Sequence, residues 1–329
     1  MVQLYGSRRN TMFCSLSTAF GLAFASLVAV SGAFAQQYPD HPIKLVVGFG
    51  AGSAIDSVAR PVAESMAQTL KQPIVLENKP GASGDIATTT VAQAKADGYT
   101  LLIASTSNFI LELAGAAKFE IQKALTPISV AGSAPWVMAV VATSPFLTLK
   151  DVVDFARKNP GKVDYATVGG GTPEFLGAIL ARNENLDIVP VPYKTTADAL
   201  PDVLAGRVTL WITPMISAVQ VHKGAKIRIL AVGGDTRSEL IKDVPTMKES
   251  GYPALDVSSV YYFFAPAGTP ASIVQQLNAA AVTALASPAV VQRLAQQGAT
   301  AQSASVEDTG KKISGEFERW SKVVKPAAK

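Results

Sequence analysis

The sequence predicts an α/β fold with doubly wound, mostly parallel sheets arranged in two lobes. Three observations predict it. Apolar runs alternate with amphipathic stretches from residue 38 onward. The strand-like runs are continuously apolar rather than alternating, as a sheet covered on both faces requires. After Gly132 a second strand-helix series begins with its own glycine-rich turn.

Taken in order, the expected strands are "IKLVVGF", "IVLEN", "TLLIAS", "PISVAG", "VMAVVAT", "VDYATV", "DIVPVPY", "VTLWIT", "IRILAVGG" and "VYYFFAPAG". Between them, "DSVARPVAESMAQTL" and "TLKDVVDFARKNP" carry apolar residues three and four apart, the spacing of a helix with one buried face. Helical patterns then fill residues 270–286, 288–297 and 306–323, and "KPAAK" reads as a frayed tail. The first lobe is expected over residues 36–134 together with 257–329, and the second over 135–234. Residues 235–256 form a crossover segment. Hinge motion is expected about Gly132 to Trp136 and from Gly234 onward.

The first 35 residues point to export. Arg8 and Arg9 precede an uncharged apolar stretch from Leu16 to Val30, and Ala33 to Ala35 offer a small-residue cleavage site, so a mature chain from Gln36 is expected. The single cysteine, Cys14, falls inside that signal. A mature chain of this length without thiols relies on its core for stability, which its size allows. Basic and acidic side chains number 29 and 25 over the whole sequence, with no dense basic run, which argues against a nucleic-acid partner. Beyond the signal, Leu125 to Leu147 comes nearest to a spanning segment, and Thr126, Pro127, Ser129, Ser133 and Pro135 break it.

Three turns at strand C-termini lie on the edge where open α/β sheets bind ligands. In "GFGAGSAID", Ser53 is expected to cap a helix, with Asp56 completing a capping box. "STSN", Ser105 to Asn108, ends the third strand with four short polar side chains. In "GGGTPEF", Thr172 is expected to cap a helix that Pro173 begins. Any one such turn is ordinary helix capping. Three together, two of them with free N–H groups at helix starts, point to an anion site. No Lys or Arg lies within the turns, and Asp56 would repel a multiply charged group, so a carboxylate fits better than a phosphate.

The first turn also resembles a dinucleotide fingerprint, with Glu77 about where the ribose-binding acid would stand, but Ser53 holds the sixth position, where that fingerprint needs glycine. Catalysis finds little support. His41 and His222 are the two histidines and read as surface residues, and no metal set or G-x-S-x-G elbow occurs. A binding protein is therefore the leading reading, with no catalytic residue, cofactor or metal; a secreted enzyme acting on small acids is the alternative.

The segments "YPDHPIKLVV", "PIVLENKPGASGDIA", "ADGYTLLIAS", "NPGKVDYATVGGGT", "VPYK", "DVPTMKESGYP" and "APAGTP" follow one another in the order and spacing of the Bug-type receptors. These are the extracytoplasmic solute-binding proteins of tripartite tricarboxylate transporters, and the resemblance covers essentially the whole mature chain. It implies a two-lobed, Venus-flytrap periplasmic binding protein that takes a carboxylate in its cleft, partly through ordered water, and delivers it to a membrane permease; a monomer is expected. It places ligand contacts at Phe49, Gly50, Ala51, Gly52 and Ser53, at Ser105, Thr106, Ser107 and Asn108, at Gly169, Gly170, Gly171 and Thr172, and at Thr213 and Pro214. The chain departs from the family where His is frequent at Phe109 and Phe175, where Asp is frequent at Thr213, and where Tyr262 replaces glycine. If these aromatics line the cleft, an aromatic or apolar-bodied acid is expected.

Overall fold

A computed structural model of the chain describes Met1, residues 38–168 and residues 170–324. Met1–Asp40 form one unit and His41–Lys329 another. The expected signal segment, beyond Met1, lies outside the described residues, and every element below belongs to the second unit.

In chain order the elements are β1 (Ile43–Val47), α1 (Ala54–Leu70), β2 (Ile74–Asn78), α2 (Asp85–Ala92), β3 (Thr100–Ser105), α3 (Thr106–Leu113), α4 (Ile121–Ala124), β4 (Leu125–Val141), α5 (Leu149–Lys158), β5 (Val163–Val168), α6 (Thr172–Glu184), β6 (Ile188–Tyr193), α7 (Thr196–Leu204), β7 (Leu210–Pro214), α8 (Met215–Lys223), β8 (Ile227–Val232), β9 (Ser258–Pro266), α9 (Ala271–Ala286), α10 (Pro288–Gln296) and α11 (Val306–Ser321). Ten expected strands become nine among the described residues. "PISVAG" and "VMAVVAT" are one continuous strand, β4, and the expected break at Gly132 is a shift of register within it.

That long strand serves two sheets. Its first part, Leu125 to Pro135, runs antiparallel to β9, which in turn pairs with β3 beside the parallel set β3-β1-β2. From Trp136 onward it lies between β7 and β8, and β7 continues into the parallel set β7-β5-β6. Each sheet is thus a parallel trio closed by antiparallel crossing strands. The change of partner falls between Pro135 and Trp136. Gly132, just before it, has φ +138°, and a Cβ there would lie 2.8 Å from the Thr300 carbonyl oxygen, so only glycine fits.

Helix packing follows the apolar stripes. In α1, Val58, Ala59, Val62, Ala63 and Met66 are buried at helical spacing. In the first lobe, Phe109, Tyr262 and Phe264 form a core with Val46 and Leu102, and Phe317 of α11 packs against it. The second lobe has a cluster on each face of its sheet, one around Met138, Tyr165 and Leu180 and the other around Val137, Trp211 and Val219. Trp320, one turn beyond Phe317, enters the first of these. The last helix therefore packs into the cores of both lobes.

Candidate functional site

Strands β1 and β3 of one lobe end opposite β5 and β7 of the other, and the turns that follow them meet. Ser107 Oγ lies 2.9 Å from Thr172 Oγ1, and Ser83 Oγ donates to the Val168 carbonyl at 3.2 Å. A Cβ on Gly50 would reach within 3.7 Å of Thr195 Cγ2. Between the lobes lies a cavity of about 40 Å³ lined by Phe49, Ser53, Ala54, Ile55, Ser105, Ser107, Trp136, Pro214, Ser259 and Tyr261. That is room for about three water-sized positions. No lining side chain is charged.

The first turn is built by Asp56. Its carboxylate accepts from the Gly52 N–H at 2.9 Å, from Arg60 Nε and Nη2 at 2.9 Å each, and from Asn78 Nδ2 at 3.0 Å. Asn78 also donates to the Phe49 carbonyl, which fixes the turn to the end of β2. Burial pushes the Asp56 carboxyl up, but the bonds from Arg60, Asn78 and Gly52 and the charge of Arg60 outweigh it and hold the group below its ordinary value. The expected capping box is therefore not formed. Ser53 stands at the N-cap position without a side-chain cap bond, and its Oγ is buried with no hydrogen-bond partner in the protein. The charge expected to repel ligand is balanced by Arg60.

Ala54 and Ile55, the first residues of α1, also line the cavity. Their N–H groups precede any carbonyl that the helix could offer them, so they carry the partial positive charge of a helix start. In the second turn the Ser105 N–H donates to Asn108 Oδ1 at 3.0 Å, and Asn108 Nδ2 reaches Thr88. Asn108 is thus occupied in holding the turn, while Ser105 and Ser107 line the cavity. Thr106 Oγ1 accepts from the Val260 N–H at 3.1 Å, behind the turn.

The other expected contacts divide. Phe49 and Pro214 line the cavity, whereas Ala51 and Gly52 are exposed. Gly169 lies outside the described residues. The glycine turn before α6 offers fewer donors than expected, because the Gly170 N–H donates to Glu174 at 2.9 Å and the Gly171 N–H to the Val168 carbonyl. Thr172 is not the cap. Gly171 holds that position, and Thr172 pairs with Ser107 instead. Thr213 is fully buried outside the cavity lining, since successive strand residues point to opposite faces and Pro214 takes the cavity side.

The condition set for an aromatic lining is not met by the side chains named for it. Phe109 is fully buried with ring centroids 5.3 Å from Tyr262 and 5.0 Å from Phe317, and Phe175 packs on the core of the second lobe. None of Phe109, Phe175 and Tyr262 lines the cavity. Tyr261, one residue earlier on β9, does, and so does Trp136. Both were missed because a strand's facing depends on register, and Trp136 sits within an apolar run without a period. A lone tryptophan after a proline at the lobe boundary was the available signal. Glu77 pairs with Lys44 and Lys79 at 2.9 and 3.2 Å, so it is a strand-edge ion pair. His41 stacks on Tyr99, and His222 accepts from the Ile229 N–H; neither lines the cavity.

A family model described as "Tripartite tricarboxylate transporter family receptor" matches residues 58–328. Protein BugT of Bordetella pertussis is 32% identical over 314 residues, covering 94% of this chain and 96% of that protein. Among solved structures, MatC from Rhodopseudomonas palustris with bound malate superposes with a TM-score of 0.82 at 30% identity, covering 88% of this chain and 100% of that one. The periplasmic binding protein BugD gives a TM-score of 0.83 at 31% identity, again over 88% of this chain and 100% of that one. With a family match over most of its length, on a fold shared with solute-binding proteins, the chain belongs to the tripartite tricarboxylate transporter receptor family and is a receptor rather than an enzyme.

Proposed function

We propose that the protein works outside the cytoplasm, captures a small carboxylate in the cavity between its lobes, and hands it to a membrane permease. The observation that carries this reading is Ser53: a buried hydroxyl without a partner, at the start of α1, facing an uncharged cavity. A carboxylate there receives the Ser53 O–H and the N–H groups of Ala54 and Ile55. Each hydrogen bond to a charged group returns roughly 1.5–3 kcal/mol, enough in number to offset the several kcal/mol that desolvating one carboxylate costs. Helix starts bind anions for the same reason.

The malate bound to MatC supports the ligand class, and the description of BugD as periplasmic, with the expected signal before Gln36, supports the location. The lobes are taken as residues 36–134 with 257–329, and 135–234, joined through 235–256; the change of partners along β4 supports the first boundary. With no cation in the lining, a tricarboxylate would bring charge that nothing there balances, so the ligand carries few carboxylates on a short carbon body. Opening and closing about β4 and the segment after Gly234 admits it, and a monomer suffices.

The test is a thermal-shift panel of acetate, benzoate, malate, adipate and citrate on the mature chain. A ligand at 100 times its dissociation constant adds about 2.7 kcal/mol, a rise of several degrees in a chain of this size. No shift with any mono-, di- or tricarboxylate would refute the reading.

A further inference from the structure

The floor of the cavity is made by the strands that join the lobes. Trp136 is the residue at which β4 changes sheets, and its backbone is tied to both ends of the return segment: its N–H donates to the Val257 carbonyl at 3.0 Å, and its own carbonyl accepts from the Gly233 N–H at 2.8 Å. Tyr261 lies on β9, the strand that the return segment feeds, opposite Gly132 of β4. Both side chains line the cavity, Trp136 at 4% and Tyr261 at 1% exposure. The Trp136 Nε1–H has no hydrogen-bond partner in the protein; Ser259, also in the lining, offers its hydroxyl to the Tyr261 oxygen, and the Tyr261 O–H itself finds no acceptor.

An indole N–H donates only, and a buried phenol that stays protonated is a ready donor. Burial pushes the Tyr261 phenol far above its ordinary range, so it keeps its proton. A site with unpaired buried donors rejects ligands that lack acceptors to meet them. We propose that Trp136 and Tyr261 are specificity-determining ligand contacts that donate to oxygen atoms of the captured acid, one from each crossover strand. The proposal rests on the reading of this cavity as the carboxylate site. Its consequence is that the acid is held by the hinge itself: a ligand oxygen on the indole bonds the same residue whose backbone makes the two bonds to the ends of the return segment. Binding and lobe closure are thereby one event.

The experiment replaces each residue by phenylalanine, which keeps a ring and removes the donor. Wild type, Trp136→Phe, Tyr261→Phe and the control Trp211→Phe, a second-lobe core residue outside the cavity, are titrated by calorimetry with acetate, benzoate, malate, adipate and citrate. For the acid that wild type binds most tightly, Trp136→Phe and Tyr261→Phe should each lose about tenfold or more in affinity, and Trp211→Phe should lose none. The sequence holds three tryptophans, and the change of emission on binding should vanish in Trp136→Phe and persist in Trp211→Phe. Variants that melt like wild type yet bind with unchanged affinity would overturn the proposal. Should Trp136→Phe fail to fold, Tyr261→Phe decides the question alone. Failure of wild type to bind any of the acids would instead overturn the receptor reading beneath it.

Discussion

Ser107 and Thr172 are hydrogen-bonded from one lobe to the other, 2.9 Å between hydroxyls that are both buried. Ser107 belongs to the turn after β3, and Thr172 opens α6, so any parting of the lobes there breaks the bond. Replacing Thr172 by Val keeps the shape and leaves the Ser107 hydroxyl without its partner, at a cost of about 1–3 kcal/mol to the closed state. The expected outcome is a weaker affinity for the captured acid, by roughly tenfold, with the larger radius of gyration of an opened molecule in solution scattering. Unchanged affinity and size would mean that the bond plays no part in closure.

Asp56 predicts a pH dependence. Its carboxyl is held below its ordinary value in the folded protein, so it contributes stability above the unfolded value of about 3.9, and that contribution is lost as pH falls through the folded value. Asp56→Asn should therefore be less stable than wild type near neutral pH, by about 1–3 kcal/mol. The gap between the two melting temperatures should close below about pH 4. A gap that stays constant from neutral to acid would show that the hydrogen bonds matter and the charge does not.

Phe109 offers a test of what the ligand touches. Because it packs among Tyr262, Phe264 and Phe317, Phe109→Ala should destabilise the first lobe by about 3–5 kcal/mol. The order of preference among acids should remain that of wild type. A changed order, measured on folded protein, would put the ring in contact with ligand after all.

Much of this was legible in the sequence, because the glycine turns and the strand spacing follow from local pattern. The roles within the turns were less so. Ser53 could be picked out as a helix cap and, through the resemblance, as a ligand contact; that its hydroxyl makes no cap bond and stays without a partner is not written in the local pattern. Tyr261 and Tyr262 are adjacent and identical, and only the register of β9 against β3 and β4 decides which faces the cavity. Thr172 read as a cap because its partner, Ser107, comes from the other lobe. Trp136 was hidden for the reason that gives it significance: it lies in a strand that passes from one sheet to the other without a break.

The most direct measurement is a crystal structure of the mature chain with the acid that it binds most tightly. A carboxylate oxygen should lie about 3 Å from Ser53 Oγ, in front of the N–H groups of Ala54 and Ile55 and between the closed lobes. An acid bound elsewhere, with the Ser53 hydroxyl still lacking a partner, would contradict the account.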